Sequence, residues 1–210
     1  PINPNNIFNQ NEKFLSKRKF WCAASTHEGE EIFCLKTHLI LKKKFKDLIT
    51  IIIPRHINRS NKIKKLCNSK KLSSQILNEQ EFIKKNKDVV IINSFGVLAK
   101  YLKYSKSVFV GKSMLKRLQN DSGQNPIEAA KLNCKIYHGP YVSNFKEIYN
   151  FLGKCKISEK IKDEKELAHK LIYDFKTPNK NFSKKTKKLN NIGKKILEKS
   201  IAEINKIIIV

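Results

Sequence analysis

The chain has 210 residues, enough for one well-packed core or two small ones, and its 40% hydrophobic content excludes wholesale disorder. Its 44 Lys and Arg against 18 Asp and Glu give a formal charge of +26, which admits two readings: a polyanion partner (nucleic acid, an anionic membrane face or a phosphorylated lipid), or A/T-rich codon usage, since Lys, Asn and Ile are all abundant and the lysines are spread evenly. Cys22, Cys34, Cys67, Cys134 and Cys155 are odd in number and lack Cys-x-x-Cys spacing, so a disulfide framework and a cysteine zinc site are excluded in favour of reduced, buried thiols, and the longest apolar runs, 48–54 and 207–210, are too short to span a bilayer.

No signal-peptide pattern is visible. Residues 1–18 are polar, rich in Asn and Pro, and without an apolar period; they read as a linker or exposed arm. A strand is predicted over 20–24, a turn over 25–29, and a helix to about residue 44. The β-branched run 48–53 is a second strand, stopped by Pro54, and a basic helix follows over 59–70. Then come a strand over 89–92, a helix over 96–104, and a strand over 107–110 ended by Gly111. Pro126 suits the first turn of a helix over 126–132. A strand is predicted over 134–137, a helix over 143–152 capped by Gly153, and an edge strand over 154–157. Asp163 and Glu166 have the spacing of a capping box that opens a further helix. Ile192, Ile196, Ile201 and Ile204 fall on one face of a last amphipathic helix over 190–206.

Short apolar strands without polar alternation are buried on both faces, and their alternation with helices predicts an α/β fold: a doubly wound, mostly parallel sheet with helices on both faces. Such sheets bind ligands beyond the carboxyl ends of their strands, and each unusual motif here follows a predicted strand. After the first strand come Ser25, His27, Gly29 and Glu30, a cap and an acidic first turn with one titratable group. After the second come Pro54, Arg55 and His56, where the planar guanidinium suits a phosphate. After the next come Phe95, Gly96 and Val97, where glycine permits close approach of a base to the backbone. Gly123-Gln124-Asn125-Pro126-Ile127-Glu128 leads into a helix whose free N–H groups suit an anion and whose carboxylate suits a ribose diol. This is neither a Walker loop nor a Gly-x-Gly-x-x-Gly fingerprint, so neither signature points to a cofactor. Gly139-Pro140 and Asn144 follow the next strand.

Taken in order, Ala24-Ser25-Thr26-His27-Glu28-Gly29-Glu30-Glu31, Pro54-Arg55-His56, Asn125-Pro126-Ile127-Glu128, and Gly139-Pro140 followed by Asn144-Phe145 resemble the carboxyl-terminal half of the Kdo (3-deoxy-D-manno-octulosonic acid) transferases, glycosyltransferases of lipopolysaccharide synthesis with the two-lobed GT-B fold. The resemblance runs from about Lys19 to the end. It implies a Rossmann-like lobe over 19–180 that binds CMP-Kdo, with 181–210 as a carboxyl-terminal helix packing on it or on an amino-terminal lobe. Pro54, Arg55 and His56 correspond to the family's phosphate side. Phe95 to Val97 and Asn125 to Glu128 correspond to its nucleotide contacts, with Ser25, His27, Gly29, Glu30, Gly139 and Asn144 as secondary candidates. The resemblance further implies transfer of Kdo to lipid IVA with release of CMP, peripheral attachment at the cytoplasmic face of the inner membrane, and no metal, cofactor or nucleic acid. The general base is expected in the amino-terminal lobe, with His27 a minor candidate here. The sequence departs from the family at three places: the family shows Asp-Thr-x-Gly-Glu-Leu against Asn93-Ser94-Phe95-Gly96-Val97-Leu98, two glycines against Gly111-Lys112, and Gly-His-Asn-Pro against Gly123-Gln124-Asn125-Pro126. Two other readings stand beside this one: a GT-B lobe for another nucleotide sugar, and a non-enzymatic basic module binding RNA or an anionic surface.

Overall fold

The computed structural model describes residues 4–177. Helix α1 (Pro4–Ser16) precedes β1 (Phe20–Thr26), α2 (Glu30–Lys42), β2 (Ile49–Pro54), α3 (Ser60–Ser69), β3 (Ser74–Leu77) and β4 (Val89–Ile92). Then follow α4 (Leu98–Leu102), β5 (Ser107–Val110), α5 (Ile127–Lys131), β6 (Lys135–His138), α6 (Lys146–Lys154), β7 (Ser158–Lys160) and α7 (Glu164–Lys176). The seven strands form one sheet in the order β3-β4-β2-β1-β5-β6-β7. Every neighbouring pair is parallel. This is the doubly wound α/β sheet that the apolar runs predict.

Strand periodicity divides the core. Trp21, Ala23, Ile52, Ile91, Phe109 and Tyr137 point to one face and pack with Cys34, Leu35 and Leu41 of α2 and Leu167, Ala168 and Leu171 of α7. Their neighbours Cys22, Ile51, Val90, Val108 and Ile136 are fully buried toward the other face. Each fully buried isoleucine there contributes roughly 1.5–3 kcal/mol by removal from water.

Several predicted elements differ from the observed ones. The segment read as a polar arm contains α1, docked by the buried Leu15 and by a polar residue. Asn11 is buried, its amide oxygen accepting from the Ile83 N–H at 2.8 Å and its amide nitrogen donating to the Glu81 carbonyl at 3.0 Å. Strand β3 was not predicted; Ser74 and Gln75 dilute its apolar pattern, and as an edge strand it needs only one fully covered face. Helix α6 runs through Gly153 to Lys154, with Cys155 as its C-cap, and Lys156 supplies the left-handed residue (φ 57°) expected of the glycine. The last strand therefore begins at Ser158, beyond the predicted 154–157. Asp163 does cap α7, accepting from the N–H groups of Lys165 and Glu166. The described residues belong to one compact unit; the amphipathic helix predicted over 190–206 lies outside them. Among the described residues no helix is long and apolar enough to cross a membrane.

Candidate functional site

The chain leaves β1 in one direction, toward β2, β4 and β3, and later returns to the other side of β1 to lay down β5, β6 and β7. The order of strands therefore reverses at β1, and the crevice at the carboxyl edge beside β1 and β5 is where such sheets bind ligands. One side chain ties the two loops together. Glu30, fully buried at the start of α2, accepts four backbone N–H bonds: from His27 (2.9 Å) and Lys112 (2.7 Å) on Oε2, and from Ser113 (2.8 Å) and Met114 (3.0 Å) on Oε1. A Cβ at Gly111 would lie 2.5 Å from the Ser25 carbonyl oxygen, so only glycine lets the loops approach this closely.

On the β1–β2 side the predicted residues meet. Pro54 is buried and pairs in register with Thr26, and the Arg55 N–H donates to the Thr26 carbonyl at 3.0 Å. This seats Arg55 and His56 beside the end of β1, with the His56 ring edge-on to His27 at 5.9 Å. The Arg55 side chain is exposed and forms no ion pair among the described residues. Burial depresses the His27 pKa, partly offset by its contact with the Ser25 carbonyl. That carbonyl only accepts, so Nδ1 of His27 carries the proton (3.1 Å) and the neutral ring presents a bare Nε2. Gly29 precedes α2 at φ 100°, a left-handed conformation that favours glycine. After β4, Phe95 is 74% exposed and Gly96 has φ 70° with open space around it, whereas the Val97 side chain is buried and leaves only backbone for contact.

On the β5–β6 side, Asn125 turns the chain into α5, its Oδ1 accepting the Ile127 N–H at 2.9 Å; Pro126 is buried, Ile127 half-buried and Glu128 exposed. The Glu128 carboxylate makes no hydrogen bond or ion pair among the described residues. The expected row of free N–H groups is shorter than predicted. Helix α5 has only five residues. The N–H groups of Gly123 and Ile127 are already bonded, to the Lys112 carbonyl and to Asn125. Three secondary candidates are structural. Glu30 is saturated by the loops. Gly139 is buried where a Cβ would sit 2.1 Å from the Ser113 carbonyl oxygen. Asn144 donates to Asp121 at 2.6 Å. Ser25 takes the left-handed conformation (φ 53°) that turns the chain out of β1.

Several curated proteins similar to this chain are named 3-deoxy-D-manno-octulosonic acid transferase. That of Haemophilus influenzae is 33% identical over 135 residues, 64% of this chain and 31% of its own. That of Rickettsia bellii is 27% identical over 210 residues, 98% of this chain and 49% of its own. A solved structure, the C-terminal CMP-Kdo binding domain of WaaA from Acinetobacter baumannii, superposes with TM-score 0.77 at 21% identity, covering 88% of this chain and 96% of that one. The chain is a relative of the Kdo transferases, matching their carboxyl-terminal half. It spans about a third to a half of the length of these two curated relatives. The solved domain shows that the fold is shared. No protein-family profile matches the chain.

Residues outside the set of predicted site candidates also shape this edge. Glu31 is buried beside Glu30 and forks onto Arg59, with both bonds at 2.8 Å, pinning the start of α3 to α2. Lys112 sits at φ 56°, a left-handed position for which the resemblance gives glycine, and pairs with Asp121 at 2.6 Å. The Tyr149 hydroxyl donates to the Gln124 carbonyl at 2.9 Å and props the loop before α5. The partners of Glu31 and Tyr149 lie 28 and 25 residues away in sequence, so no local spacing announces them. No group of three or more His, Cys, Asp or Glu side chains among the described residues is arranged to hold a metal.

Proposed function

We propose that this chain is the donor-binding half of a glycosyltransferase that moves Kdo from CMP-Kdo to lipid IVA and releases CMP. The observation that carries the reading is the pair of uncommitted charges flanking the crevice: Arg55 after β2 and Glu128 in the first turn of α5. Buried groups such as Glu30, Glu31 and Arg59 are consumed by the fold, whereas these two are exposed and unpaired among the described residues. The names of the similar proteins support the donor.

In this reading the acceptor hydroxyl oxygen attacks the anomeric carbon of Kdo as the bond from that carbon to the CMP phosphate oxygen breaks. The electron pair leaves with the phosphate, whose growing charge the Arg55 guanidinium holds. Attack from the opposite face inverts the anomeric centre. Glu128 accepts two hydrogen bonds from the ribose hydroxyls, and the base lies against the backbone of Gly96 and Val97, beside exposed Phe95. The acceptor proton passes to a carboxylate of the amino-terminal lobe. Neutral His27 contributes a hydrogen-bond acceptor at the crevice floor. The assembled enzyme works peripherally at the cytoplasmic face of the inner membrane. The 210 residues alone bind nucleotide without transferring Kdo.

Titration calorimetry of the chain with CMP, UDP and GDP tests the donor. Preference for CMP is expected. Preference for UDP or GDP moves the reading to another GT-B donor. Salt-dependent RNA binding that CMP leaves untouched, with no nucleotide binding, moves it to a basic binding module.

A further inference from the structure

The opposite edge of the sheet carries a second concentration of charge. An open cavity of about 440 Å³ lies at the amino ends of β1 and β2 and is lined by Lys17, Arg18, Lys19, Lys46 and Lys85, with Asp47 its one acid. None of these five cations has an ion-pair partner among the described residues. Nearby Lys42 differs: it is committed to Asp88 at 2.6 Å. A neighbouring hollow of about 230 Å³ shares Arg18, Lys46 and Asp47 and adds Lys87 together with the Lys42–Asp88 pair.

Codon usage scatters lysines without regard to the fold, and it does not account for what happens here. Three segments distant in sequence, 17–19, 46–47 and 85, bring five positive charges to one concavity with a single carboxylate. Within the basin only Asp47 offsets their mutual repulsion, and bound anionic groups relieve the rest. Two of the cations are already positioned. The Arg18 guanidinium lies 4.7 Å from the Phe14 ring centre and the Lys19 ammonium 5.5 Å from that of Phe45. Cations held over rings lose less freedom when they take a ligand.

We propose that this basin is a second anion site, taking clustered phosphate groups independently of the nucleotide crevice. A seven-residue strand such as β1 separates the two edges by roughly 20 Å. That is about twice the Debye length in physiological salt, so occupancy of one edge leaves the other unaffected. The chemistry fits a soluble oligophosphate or the headgroups of an anionic phospholipid.

The test uses the full 210-residue chain and two triple variants of equal net charge. One is Lys17→Gln/Lys46→Gln/Lys85→Gln in the basin; the other is Lys64→Gln/Lys65→Gln/Lys154→Gln at exposed sites elsewhere. Binding is read at about 0.15 M salt with inorganic triphosphate by calorimetry, and with phosphatidylglycerol-containing vesicles by co-sedimentation. The basin variant is expected to lose roughly tenfold or more in affinity, since each basic residue at an anionic surface is worth about fivefold. The control variant should stay within about threefold of the parent, and CMP affinity should be unchanged in both. Loss with triphosphate alone assigns a soluble ligand, loss with vesicles alone a lipid headgroup, and loss in both arms a site that takes either. Equal weakening of basin and control variants reduces the effect to bulk charge and overturns the proposal, as does a parent chain that binds neither probe.

Discussion

Replacing Glu30 with Gln tests whether one buried carboxylate holds the crevice together. If the amide oxygen takes the place of Oε1, it keeps the N–H groups of Ser113 and Met114. The amide nitrogen then faces the N–H groups of His27 and Lys112, so two hydrogen bonds are lost and donors oppose donors. Hydrogen bonds to a charged acceptor are worth about 1.5–3 kcal/mol each, so the substitution costs roughly 3–6 kcal/mol. That is a large share of a domain stability of about 5–15 kcal/mol. At about 2–4 °C per kcal/mol for a chain of this size, Tm falls by roughly 6–24 °C. Circular dichroism melting of the full chain, with urea unfolding in parallel, measures the loss. The exposed Glu128→Gln variant serves as control and should shift by less than about 0.5 kcal/mol. A Glu30→Gln melting point within about 2 °C of the parent would refute the clamp, because that shift corresponds to about 1 kcal/mol or less.

Arg55→Ala should weaken CMP binding by about 10–100-fold, the worth of a charge-assisted bond, while leaving Tm within about 2 °C because the side chain is exposed; unchanged CMP affinity removes Arg55 from the phosphate. Gly139→Ala places a Cβ against the Ser113 carbonyl oxygen, 2.1 Å away if nothing moves, and should cost about 1–3 kcal/mol or more in urea unfolding. Burial pushes the His138 imidazole down from 6.5 to about 4, against a partial offset from the Gly139 carbonyl. Between those values the unfolded chain binds a proton that the folded chain does not, so stability falls as pH drops through the window, by up to about 1.4 kcal/mol per pH unit. Unfolding of a His138→Gln variant at pH 7, 5.5 and 4.5 should show a shallower decline, and an identical slope assigns the loss to other groups.

The sheet was legible where one local force decides it. The runs that became β4 and β5 are four residues long and apolar but for Ser107 at the start of β5, and sequence and structure give them the same bounds. Asp163 and Glu166 likewise announce the start of α7, because capping acts over three residues. What stayed hidden depends on distant partners. Glu30 reads as an ordinary first-turn acid, complementing the helix dipole, yet three of its four donors lie 82–84 residues onward. Asn11 reads as a polar residue in an arm, yet its amide latches α1 to a segment some 70 residues away. Strand β3 carries serine and glutamine because it lies at the sheet edge, and edge strands escape the all-apolar pattern. At the site, motif order identified which loops reach the carboxyl edge. It did not separate a side chain consumed by the fold, such as Glu30, from those left exposed, such as Arg55 and Glu128, because that division is made by packing.

A crystal structure of the chain grown with CMP tests the central claim most directly. The account predicts nucleotide in the crevice between β1 and β5, the phosphate within hydrogen-bond reach of the Arg55 guanidinium and the ribose hydroxyls on Glu128. A nucleotide bound with its phosphate elsewhere, in the basic basin at the opposite edge for instance, and with Arg55 and Glu128 both turned to solvent, would contradict it.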